Sequence, residues 1–129
     1  MYRRIDWERS LPVLENAQNV LAAWAFGSAK NGEIRPGSDA DIGVLFGGHP
    51  SLDELTALRA NLQVALQFDE IDVVVLNEAS PILRFEAISG QSLFCQDANR
   101  RAEFASLTAR EYEEAMSLLA CGLVNRDTG

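Results

Sequence analysis

The chain has 129 residues, room for one domain of ordinary size with a self-sufficient core, and its 47% apolar and 23% charged residues describe a globular protein. Against 11 basic residues stand 19 acidic ones, a net charge of −8, so retention on DNA, RNA or anionic lipid by a general positive field is disfavoured. Two cysteines without CxxC spacing (Cys95 and Cys121), one histidine (His49), a polar stretch at Met1–Ser10 and no apolar run near the roughly 18 residues of a membrane span predict a soluble, cytoplasmic protein. They give little support to a zinc site, a disulfide framework or a membrane association.

In chain order, Ser10 is placed to cap a short helix with Pro12 in its first turn and Leu14 and Ala17 at helical spacing. The continuously apolar run Val20–Phe26 reads as a first, buried strand that ends at Gly27. Residues 29–38 form a loop rich in glycine and proline, and Asp39–Phe46 reads as a second strand. Ser51 and Glu54 match a capping box, followed by an amphipathic helix to about Gln67 with Leu55, Leu58, Leu62 and Leu66 on one side. Ile71–Leu76 is a β-branched third strand carrying one charge, Asp72. Ser80-Pro81 opens a helix that Gly90 is placed to end, Gln91–Cys95 suits a short fourth strand, and Asp97 caps a long final helix. In that helix Phe104, Leu107, Ala115, Leu118 and Leu119 are the apolar positions and Arg100, Arg101, Glu103, Glu113 and Glu114 the wet ones. The order of elements is that of an α/β (α+β) protein, a small mixed sheet flanked by helices in a single domain over residues 1–129.

Chemistry concentrates on three carboxylates. Asp39 and Asp41, one residue apart at the mouth of a strand, share a face with Cα atoms about 6.5 Å apart. Paired acids repel unless a cation stands between them, and Mg²⁺ takes carboxylate oxygens together with substrate phosphates. An isolated Asp-x-Asp is most often a turn cap beside a solvated residue. Asp72 raises the interest, because a carboxylate among valines is costly to bury unpaired, and three carboxylates on neighbouring strands can hold two metals. In such a site Asp72 would act as general base or orient it, its competing reading being an edge-strand residue turned to water. Gly27-Ser28 after a buried strand can approach phosphate oxygens through backbone N–H groups and a hydroxyl, without positive charge.

Gly27-Ser28, ten residues, Asp39-x-Asp41 and a later Asp72 on an apolar strand together resemble the signature of the DNA polymerase β nucleotidyltransferase superfamily. The stretches Ala25–Gly32 and Ser38–Leu45 look like its minimal, MNT-type members. The resemblance is strong over about residues 20–76 and weaker over the helical part at about 80–122. It implies that Gly27 and Ser28, with Lys30 and Ser38 beside them, bind nucleotide phosphates and that Asp39, Asp41 and Asp72 hold Mg²⁺, two ions, with ATP as substrate. It also implies an antitoxin that transfers AMP to a hydroxyl, a tyrosine in similar proteins, of a partner HEPN ribonuclease toxin, with no direct nucleic-acid ligand. Ala29-Lys30-Asn31-Gly32 departs from the family's more arginine-rich turn, which leaves the phosphate contacts less defined.

Two other readings stay open on the sequence: a non-catalytic antitoxin acting by steric cover, and an antibiotic-modifying enzyme that works with a helical subunit. Lys30 and Arg35 are loop cations, and Arg84 either faces the nucleotide or pairs with an acid such as Glu86. His49 reads as solvent-exposed, Trp7, Trp24 and Tyr112 as packing groups with Trp7 partly exposed, and both cysteines as small apolar fillers.

Overall fold

The computed structural model describes residues 3–128, and side chains up to Cys121. The elements are β1 (Arg3–Arg4), a 3₁₀ turn (Trp7–Ser10), α1 (Leu11–Asn16), β2 (Val20–Phe26), a 3₁₀ turn (Gly27–Ala29), β3 (Glu33–Ile34) and β4 (Ala40–Phe46). They continue with α2 (Leu52–Leu66), β5 (Ile71–Val75), a 3₁₀ turn (Leu76–Glu78), α3 (Pro81–Ile88), β6 (Gln91–Cys95) and α4 (Ala98–Thr128). Four strands form the central sheet in the order β5-β4-β2-β6. Strands β4 and β5 run parallel because α2 carries the chain back between them, and the other pairs are antiparallel. The fold is thus a small mixed sheet flanked by helices, as the sequence predicts.

Strand alternation sorts the residues of β4 onto two faces. Ala40, Ile42, Val44 and Phe46 join Leu14 of α1 and Leu58, Leu62 and Leu66 of α2 in the larger core. Leu45 packs on the opposite face with Trp24, Phe26, Leu76 and Ala87, roofed by α3 and by Phe104 of α4. Asp41 has the parity of Leu45, and Asp72 that of Val74, so both carboxylates lie on the α3/α4 face.

Several local expectations change. Strand β2 is not the first: β1 precedes it and pairs antiparallel with β3 in a separate two-stranded ribbon, two residues each and too short to show a period. Ser10 does not cap α1 through its side chain, because its hydroxyl donates to the Trp7 carbonyl at 2.6 Å and so closes the preceding turn. Only half of the predicted capping box forms: Ser51 Oγ accepts from the Glu54 N–H at 3.1 Å, while Glu54 turns to the Ser51 hydroxyl and to Asn19. Ser80 and Asp97 cap α3 and α4 through the N–H groups of Leu83 and Arg100. Gly90 does not stop α3 by a left-handed turn. A Cβ there would collide with the Ala25 carbonyl and press on Phe26, so its requirement is close approach to β2.

Helix α4 is the largest departure. Its covered side runs through Phe104, Thr108, Tyr112 and Ala115, which turns Leu107 outward, and Leu118 is 73% exposed where the 31-residue helix outreaches the eight-residue α3 beneath it. Leu119 is exposed for the same reason, as is Cys121, while Cys95 is half-buried. Arg101 is half-buried and donates to Ser92. Trp7 is a packing group as expected, but buried rather than partly exposed.

Candidate active site

Parallel pairing of β4 with β5 sets Asp41 directly opposite Asp72, at the end of the sheet where both strands begin. On its other side Asp41 faces Phe26, the last residue of β2, so the turn at Gly27 begins beside the carboxylates. Gly27 has φ +74°, and a Cβ placed on it would lie 2.5 Å from Asp41 Oδ2. Only glycine lets the backbone bend this way and leaves the carboxylate its space. Ser28 follows, exposed at the tip of the turn. Asp39 sits one residue before β4, exposed, and contributes to the field at Asp41 without belonging to the strand.

Asp72 is exposed on the edge strand β5, as in the competing reading, so the cost of burying an unpaired charge does not arise. What gives it meaning is register. Asp41 is the partly buried member, and its carboxyl is held above the ordinary aspartate range by desolvation first, then by the charges of Asp72, Asp39 and Glu86. Glu86, on α3, is a fourth acid that sequence reading considered only as a mate for Arg84; its approach depends on how α3 lies across the sheet.

That register is held from the far end of the strands. Asn77 accepts from the Phe46 N–H and donates to the Phe46 carbonyl, both at 2.9 Å, continuing the ladder with a side-chain amide where β5 has ended. Arg84 neither faces the carboxylates nor pairs with Glu86. Its guanidinium donates to the carbonyls of Leu76 and Asn77 at 2.7 and 2.6 Å, approaches Glu111 at 3.9 Å and lies over the Phe104 ring. Two of its donors fasten the turn that carries Asn77.

Lys30 is exposed and its backbone N–H closes the Gly27–Ala29 turn at 3.4 Å. Ser38 is half-buried and lines, with Arg35 and Glu70, a hollow of about 230 Å³. His49 is exposed, as expected, and its Nδ1 lies 3.0 Å from Glu78. A roomier cleft of about 780 Å³ opens between α1 and α2, lined by Val13, Phe46, Leu58 and Val64. It lies on the face of the sheet opposite Asp41 and Asp72.

Among the described residues no set of three or more His, Cys, Asp or Glu side chains forms a group that could hold a metal ion unaided. Mg²⁺ does not require one, since it is commonly held by one or two carboxylates together with substrate phosphates. The crowding of acids around Asp41, which raises its pKa, is a donor set that a hard cation would relieve.

A carboxylate pair on adjacent strands thus lies beside a glycine-serine turn at one end of a mixed sheet. Residues 8–99 match the family model described as polymerase beta, nucleotidyltransferase. The chain belongs to that family. No curated protein sequence matches it significantly. Among solved structures it is similar to a toxin–antitoxin with AMP-PNP, at 21% identity and a TM-score of 0.75 over 96% of this chain and 99% of that one. A mutant of the toxin–antitoxin MntA-HpeT gives 20% identity, TM-score 0.75 and the same coverage. The tri-AMPylated HEPN toxin of Shewanella oneidensis in complex with MNT antitoxin gives 19%, TM-score 0.70 and 95% and 96% coverage. At these identities the likeness is one of fold, the minimal nucleotidyltransferase fold. Among the described residues no helix is long and apolar enough to cross a membrane.

Proposed function

We propose that this protein is an antitoxin that transfers AMP from ATP to a hydroxyl, a tyrosine, of a HEPN toxin and thereby neutralises it in the cytoplasm. The observation that carries the reading is the register of Asp41 with Asp72, on the sheet face whose end also bears the Gly27-Ser28 turn. Two fold neighbours support it: one was solved with AMP-PNP, and another contains an AMPylated HEPN toxin bound to its MNT antitoxin.

In this reading the Gly27 and Ser28 N–H groups and the Ser28 hydroxyl receive phosphate oxygens, which suits a chain of net charge −8 that offers no broad positive field. Lys30 and Ser38 add contacts from the loop. Asp39, Asp41 and Asp72 would hold Mg²⁺, which when bound supplies neutralisation of the triphosphate and its leaving group and polarises the attacking hydroxyl. Asp72, exposed at the sheet edge, is reachable by a group arriving from outside the domain and takes the tyrosine proton. The tyrosine oxygen bonds to the α-phosphorus, the bond from that phosphorus to the oxygen bridging to the β-phosphate breaks, and pyrophosphate leaves. Being exposed, the site gives a protein acceptor access to Asp72 without any opening motion.

The test is the intact mass of a HEPN toxin co-expressed with this chain. An increment of one or more AMP groups is expected, lost when Asp39→Asn is co-expressed instead. Complex formation with an unmodified toxin under conditions of ATP and Mg²⁺ sufficiency overturns the reading.

A further inference from the structure

The turn that begins at Gly27 is not held by its own stretch of sequence alone. Its last carbonyl, that of Ala29, accepts two bonds: from the Gly32 N–H at 2.9 Å and from the indole Nε1–H of Trp7 at 3.0 Å. Trp7 is 5% exposed and stands 22 residues away in sequence. It belongs to an N-terminal strap that grips the loop at three levels. Strand β1 pairs with β3, the Ile5 N–H donates to the Gly32 carbonyl at 2.7 Å, and Trp7 reaches Ala29. The Ser10 hydroxyl donates to the Trp7 carbonyl and closes the Trp7–Ser10 turn itself, without reaching Ala29.

We infer that Trp7 is a positioning residue for the phosphate-binding turn: its indole N–H fixes the Ala29 carbonyl and so aims the Gly27-Ser28 N–H groups at the nucleotide. The inference rests on the nucleotidyl-transfer reading above. Its physical basis is that a three-residue 3₁₀ turn, with one internal bond of 3.4 Å from Lys30 N–H to Gly27 carbonyl, has little stability of its own. A donor set must be ordered before the ligand arrives if it is to bind without a further entropic penalty. A buried indole whose only polar atom is spent on that turn orders it from beneath.

Trp7→Phe keeps a ring in the core and deletes the donor. Ser10→Ala removes a buried bond of the same strap that does not touch the turn. Affinity for AMP-PNP with Mg²⁺, measured by calorimetry, is expected to fall about fivefold in Trp7→Phe, as for one lost neutral hydrogen bond, and to stay at the wild-type value in Ser10→Ala. Hydrogen exchange at the Gly32 amide is expected to quicken in Trp7→Phe alone. In turnover the loss is expected in KM for ATP with kcat nearly kept. A second variant, Gly32→Ala, attacks the same grip without touching the core, since its Cβ would lie 2.9 Å from the Ile5 carbonyl oxygen at φ +89°. It too is expected to weaken AMP-PNP. Wild-type affinity in Trp7→Phe, equal weakening in both strap variants, or wild-type affinity in Gly32→Ala should Trp7→Phe fail to fold would each overturn the role of Trp7. A wild-type protein that does not take AMP-PNP would overturn the nucleotide reading itself, and this role with it.

Discussion

The two faces of the central sheet use the same strand residues in alternation for different ends. Toward α1 and α2, β4 presents Ala40, Ile42, Val44 and Phe46, and the surface they meet is apolar from end to end. Toward α3 and α4 the same strand presents Asp41, Gly43 and Leu45, apolar at one end and anionic at the other. One face is committed to burial. The other gives up cohesion at its open end, where desolvation and three neighbouring acids work against the ionised Asp41. In the proposed reading, stability and chemistry are separated by a single step of the strand period.

That separation can be broken from either side. The largest effect belongs to the anionic face: Asp41→Ala or Asp72→Ala should lower AMP transfer by roughly a thousandfold or more in a labelled-ATP assay, as removal of charge stabilisation in a transition state does. Lys30→Ala, exposed and in contact with neither carboxylate, should lose less than about tenfold. On the apolar face Leu62→Ala, at a fully buried position, should cost about 2–5 kcal/mol in urea unfolding while the protein that remains folded keeps its activity per molecule. Gly27→Ala places a methyl against Asp41 Oδ2 in a backbone conformation that costs about 1–3 kcal/mol for a side-chain-bearing residue. It should melt several degrees lower and lose most of its AMP-PNP affinity.

The smallest effect sharpens the contrast. Folding raises the Asp41 pKa, so the folded state favours its protonated form. The stability tied to this group is full below the ordinary value of 3.8 and declines as pH rises through the folded value. Metal-free Asp41→Asn should therefore melt a little above wild type near neutral pH and lose that advantage below pH 3.8. Added Mg²⁺ should raise the melting temperature of wild type and leave Asp41→Asn nearly unmoved.

Much of this arrangement was legible in the residues, for local reasons. Val20–Phe26 and Asp39–Phe46 announced themselves as strands because unbroken apolar runs bounded by glycine have few other uses, and the structure differs only by leaving Asp39 outside β4. The glycine turn at Gly27 and the proximity of Asp39 and Asp41 at the start of β4 are readable from local spacing. Asp72 was singled out on the expectation of a buried charge, whereas it is exposed and acquires its interest from lying opposite Asp41. The roles of Trp7, Asn77 and Arg84 had no sequence signal, because each is a hydrogen bond to a backbone group and a backbone carbonyl has no residue identity to read. The outward turn of Leu107 and Leu118 was missed because apolar spacing cannot tell which side of α4 has something to pack against.

By itself, then, the sequence determined the element types and which residues could carry charge to a phosphate, since those follow from periodicity, side-chain chemistry and the punctuation of glycine and proline. The tertiary structure alone decided which carboxylates meet, what steadies the turn beside them and where α4 outruns the body. Pairing register and the meeting of segments far apart in the chain come from the packing of the whole core, and no window of neighbouring residues contains them.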